Sequence, residues 1–101
     1  MNKCTEDAYV IEVLMRDLVG HDRAPSAFLV YLYLWSRTLG AQAKQVRISH
    51  QRLAEATGLS KSAVQAAARL LLRRKLIRAY LEHRTAAPEY TVLRPWIRSK
   101  Q

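Results

Sequence analysis

Apolar residues along this chain fall into blocks of differing period, and each change of period marks an element. Residues 27–35 are almost continuously apolar: Phe28, Leu32, Trp35 and Leu39 form a stripe at helical spacing, and Leu29, Val30, Tyr31, Tyr33 and Leu34 fill much of the remainder. Pro25 suits a first helical turn, where its missing N–H costs nothing, and Gly40 suits the residue beyond the last turn, so a helix is predicted over 25–39. A helix apolar on most sides must be covered on most sides. A homodimer through this helix is the expected cover, with the N-terminal segment folding over it as the alternative. Residues 8–14, rich in Val, Ile and Tyr, read as a short strand, with 15–19 continuing as a helical turn.

Further along, residues 46–48 are β-branched at both ends and predict a brief strand. Ser49 offers an N-cap oxygen to a helix over 50–57, which Gly58 ends, and Ser60 caps a third helix running to about residue 75. Strands are predicted over 76–81 and 90–93, joined by 82–89 with Pro88 marking the turn. The expected fold class is mainly α with a small β-hairpin, in one domain over 1–101. Its parts are an N-terminal extension (1–24), a first helix (25–40), a helix pair (49–74) and a hairpin (76–93).

Charge changes the picture more than composition does. The net charge is +9, but residues 1–46 hold five bases against five acids, whereas 47–101 hold twelve bases against three. The whole excess lies in the second half, which points to a polyanionic partner there. The single cysteine, Cys4, excludes an intrachain disulfide and any Cys-x-x-Cys pair, which fits a reducing cytoplasm. The chain's first residues lack the apolar run of a secretory leader, and the longest apolar block is far short of the roughly 20 residues that span a bilayer, so no membrane association is expected.

Winding the third helix at about 100° per residue puts Val64, Ala67, Ala68 and Leu71 on one side and Ser62, Gln65, Ala66, Arg69 and Arg73 opposite. The first set reads as core. The second is polar and cationic, without acids or bulky apolar residues, and Ala66 leaves room for close approach. No Gly-rich phosphate loop, metal-ligand pair at helical spacing or supported Ser/His/Asp set occurs, and His21, His50 and His83 read as surface residues. No catalytic residue, metal or cofactor is therefore expected, and the chain reads as a non-enzyme. The run Arg73, Arg74, Lys75 reads as a solvated helix end favoured by the helix dipole.

The run L-A-E-A-T-G-L-S-K-S-A-V, from Leu53 to Val64, resembles the helix-turn-helix pattern, and the resemblance extends through about residue 93 to winged-helix regulators. In that pattern Leu53 and Ala54 pack the first helix on the second, Gly58 supplies the turn, and Leu59 plugs it. Modules of MarR-like, GntR-like and plasmid replication-initiator proteins share the layout. The resemblance implies a cytoplasmic, sequence-specific binder of double-stranded DNA, acting in transcription regulation or replication initiation; a winged-helix protein-interaction module is the alternative. It also implies roles. Gln65 and Arg69 would read base edges from the major groove; Ser60, Lys61 and Ser62 would meet phosphates or the first base; Ala66 and Arg73 complete the inserted face. His50, Gln51 and Arg52 would touch backbone across the groove, and Arg84, beside His83 at the hairpin tip, would reach the minor groove or backbone, with Arg78, Arg94, Arg98 and Lys100 adding diffuse attraction.

Overall fold

A computed structural model of the protein describes residues 10–38 and 43–93, with the side chains of Val10 and Ile11 excepted. Cys4, residues 8 and 9, Leu39, Gly40, Arg94, Arg98 and Lys100 lie outside the described residues. The described chain is mainly helical, with four helices and one three-stranded antiparallel sheet.

The N-terminal segment is α1, wound in wide π-type turns over Val10–Leu14 and Arg16–His21 and continuous through Met15. From Val10 onward this corrects the strand expected over 8–14. A short Val/Ile-rich run satisfies either period, and packing decides between them. Leu14 and Leu18, four residues apart, share one helical face and are buried in the core, where α1 lies against the next helix.

That helix, α2 (Pro25–Arg37), starts with proline in its first turn as expected. Its buried face is Ala27, Phe28, Val30, Tyr31 and Leu34, extended by Thr38; of the described residues in the expected stripe only Phe28 belongs to it, and Leu32 and Trp35 do not. Leu32 is exposed and Trp35 half-buried. With nearly all positions apolar, the sequence does not choose a face; α4 on one side and α1 on another choose it. The N-terminal segment thus supplies much of the cover that a second subunit was expected to give. Leu29 and Leu32 remain outside it, 43% and 36% exposed. The Thr38 hydroxyl donates to Leu34 O at 2.8 Å, and Tyr31 donates to Leu93 O at 2.9 Å, fixing α2 to the chain that leaves the sheet.

Next come β1 (Val46–Arg47), α3 (His50–Thr57) and α4 (Lys61–Arg73). Ser49 and Ser60 both stand in extended backbone, and each side-chain oxygen accepts a first-turn amide at 3.1 Å, from Arg52 and Ala63 respectively. Gly58 ends α3 at φ +80°, its N–H donating to Ala54 O at 2.9 Å, and Leu59 packs half-buried on the core. Strands β2 (Ile77–Tyr80) and β3 (Glu89–Val92) follow. Sheet order is β1-β3-β2, so the last strand lies in the middle, pairing Tyr90 with Val46 on one side and Ala79 on the other. Ile77, Tyr90 and Val92 turn inward and join Leu53, Val64 and Leu71 in a core that also holds α2.

At the far end of α4 the three cations part ways. Arg73 and Lys75 are exposed, but Arg74 donates to both Asp22 and Asp17, the latter at 2.7 Å, and ties α1 to the end of α4. Arg74 is therefore a structural clasp, correcting the solvated-end reading. Among the described residues no helix is long and apolar enough to cross a membrane.

Candidate functional site

Helix α4 carries no acidic residue. Its side chains divide as the 3.6-residue period requires: Val64, Ala67, Ala68 and Leu71 are buried, while Lys61, Ser62, Ala66, Arg69 and Arg73 are exposed and Gln65 is half-buried. An apolar residue borders the expected polar face. Leu72, at an angular position between Lys61 and Gln65, is 41% exposed beside the edge that Gln65 forms.

Gln65 and Arg69 form one wall of an open groove of about 430 Å³ between α4 and the sheet. Leu72, Ala79 and Leu81 make most of its lining apolar, and His50 and Tyr90 close it at the α3 end. His50 Nε2 lies 3.1 Å from the Tyr90 hydroxyl. Burial pushes the Tyr90 hydroxyl up to about 12, and burial, with the nearby Lys61 charge, lowers His50 below the usual imidazole range. At neutral pH the bond therefore joins two uncharged groups, an imidazole and a phenol. His50 is a half-buried tie between α3 and the central strand, which corrects its reading as a surface histidine.

The remaining expected residues are spread around this groove. The Ser60 hydroxyl is engaged as a cap and lies 3.3 Å from Ser62 Oγ. Lys61 stands in the first turn of α4 and close enough to His50 to act on it electrostatically. Gln51 and Arg52 are exposed on the first turn of α3, and Arg52 lies 3.7 Å from Glu55. Arg84 is exposed in the loop between β2 and β3, where Ala86 N–H donates to His83 O at 3.0 Å and His83 Nδ1 lies 3.2 Å from Thr85 Oγ1. The structure thus gathers Gln65 and Arg69 in one groove, while Arg52 and Arg84 line other surfaces.

Sequence reasoning missed His50, Tyr90 and Leu72 as parts of this groove. Leu72 was legible, since the helical wheel alone puts it there; the contact between positions 50 and 90 has no local signal. The only grouping of metal-ligating side chains among the described residues is Asp17, His21 and Asp22, whose carboxylates are already bonded to Arg74 and, at 3.0 Å, to His21. No family model, curated protein or solved structure matches the chain.

Proposed function

We propose that this chain is a winged helix-turn-helix protein that binds double-stranded DNA in a sequence-specific way, acting as a small transcriptional regulator or a replication-initiator module. The acid-free, cationic exposed face of α4, with Gln65 and Arg69 side by side, carries the reading. Sheet order β1-β3-β2 and an exposed loop with Arg84 at its tip support the wing assignment. In this reading α4 enters the major groove, Arg69 takes a guanine edge and Gln65 an adenine edge, and Arg52, Lys61, Arg73 and Arg84 meet backbone. The protein works without catalysis, metal or cofactor, in the cytoplasm and as a homodimer whose second copy covers Leu29 and Leu32.

One observation favours a second reading. Leu29, Leu32 and Tyr33 of α2 form, with Ala56 and Thr57, an apolar hollow of about 340 Å³, which suits a protein-interaction module that uses α2 and not α4. A gel shift on random duplex at low salt separates the two: the DNA reader retards it at micromolar protein, and the interaction module leaves it unshifted. Within the DNA reading, Arg69→Ala should cost on the order of 1 to 3 kcal/mol on the selected site and much less on random duplex. Equal losses on both would remove Arg69 from base reading.

A further inference from the structure

A second cavity, away from the α4 groove, lies where the end of α2, strand β1 and the first turn of α3 meet the loop before β3. Its volume is about 350 Å³. Arg37, Arg47 and Arg52 all line it, together with Ser49, Tyr33 and Ala87, and none of its lining residues is acidic. Three guanidinium groups from three separate elements around one hollow is an expensive arrangement, because like charges repel and each group needs acceptors.

The acceptors present do not use those groups up. Arg47 Nη1 donates to Ala87 O at 3.2 Å, which holds the side chain in place. The carboxylates of Glu82 and Glu89 stand 3.8 and 3.9 Å from Arg47 Nη2, and Glu55 stands 3.7 Å from Arg52 Nε, all beyond hydrogen-bonding distance. The Arg37 side chain makes no hydrogen bond or ion pair with any described residue. N–H donors thus remain on all three groups for an anion, and the Arg37 charge is met by no carboxylate among the described residues. A fork of planar N–H donors from several directions matches the tetrahedral oxygens of a phosphate better than the two oxygens of a carboxylate, and the Tyr33 side gives an apolar wall for the carbon side of an ester.

We propose that this cavity is a phosphate-binding site, with Arg37, Arg47 and Arg52 as its cationic ligands. Arg37 and Arg47 stand outside every role argued above. The phosphate is either that of a nucleic-acid backbone, in which case the site deepens the DNA reading, or that of a free phosphorylated small molecule.

Inorganic phosphate titrated into the full-length protein at constant ionic strength, against chloride, and followed by amide chemical shifts, tests the site. Saturable shifts should be confined to residues around Ser49, Arg47 and Ala87. Arg37→Gln should weaken phosphate binding about tenfold, and Arg16→Gln, at an exposed position on α1, should not. Arg37 ends its helix, so Arg37→Gln is expected to keep the fold, verified by an unchanged thermal midpoint; Arg47→Gln gives a second reading. Unsaturable shifts spread over the basic surface, or Arg37→Gln binding phosphate as tightly as the parent, would overturn the proposal. A duplex arm separates the sources. If the anion is backbone, duplex displaces phosphate and Arg37→Gln weakens all duplex sequences alike; if it is a small molecule, Arg37→Gln loses phosphate and keeps duplex affinity. Failure of the DNA reading appears separately, as parent protein that binds phosphate here and retards no duplex.

Discussion

Individual residues set the geometry of the turn between α3 and α4. Ser49 and Ser60 were legible as caps because the hydrogen bond each makes spans three residues, and Gly58 was legible because a left-handed residue after a helix favours glycine. The His50 to Tyr90 bond was not, because its partners are 40 residues apart and only the assembled sheet brings them together. Gly58 also permits a clean measurement. Apart from its immediate chain neighbours, nothing lies within 4 Å of the place a β-carbon would occupy, so substitution there tests backbone conformation alone. At φ +80° an L-residue loses roughly 1 to 2 kcal/mol, partly offset by about 0.4 to 1 kcal/mol from a less flexible unfolded chain. Gly58→Ala should therefore destabilise the fold by about 1 kcal/mol, seen as a lower urea midpoint at unchanged slope. An unaltered midpoint would show that the turn does not need the left-handed conformation.

Elements were legible where one period dominated and illegible where two fitted. Helices α3 and α4 and the three strands fall within a residue or two of expectation, since caps and Gly58 bound the helices and the central strand alternates inward and outward. The first turns of α1, over 10–14, were misread as a strand and the buried face of α2 was misplaced, because almost uniformly apolar runs leave the choice to neighbouring elements. The contact that fixes α1 is partly ionic. Arg74 bridges Asp17 and Asp22, whose side chains are 36% and 13% exposed. A hydrogen bond from His21, followed by the Arg74 charge, outweighs desolvation and holds the Asp22 carboxyl below its ordinary 3.8. A carboxylate whose folded pKa is depressed adds stability that is fully present above the unfolded value and disappears as pH falls through the folded one. The clasp should thus be intact at pH 5 and above and fade below about pH 4. Arg74→Ala should cost about 1 kcal/mol at pH 7, discounted for its partial exposure, and the cost should vanish toward pH 2. Heat denaturation of parent and variant across that range checks this, and a pH-independent cost would mean that Arg74 acts through its aliphatic stem.

Across the whole molecule, the charge asymmetry of the sequence becomes an arrangement in space. The second half of the chain holds twelve bases and three acids, yet Arg74 is neutralised by α1 and Arg47 is flanked by Glu82 and Glu89, so not every cation is equally available. Arg52, Lys61, Arg69, Arg73 and Arg84 remain exposed on α3, α4 and the β2 to β3 loop. Each cation that neutralises a duplex phosphate releases counterions, and log affinity falls with log salt at about 0.9 per contact. If four of the five meet backbone while Arg69 reads a base, the slope on random duplex should be near −4, a loss of about 200-fold between 50 and 200 mM salt. Arg74→Ala should leave that slope unchanged, because its charge is spent on α1, whereas Arg73→Ala, its exposed neighbour, should flatten it by about 1. A slope near −1, or equal effects of the two substitutions, would mean that DNA meets the molecule elsewhere than along the exposed side of α4.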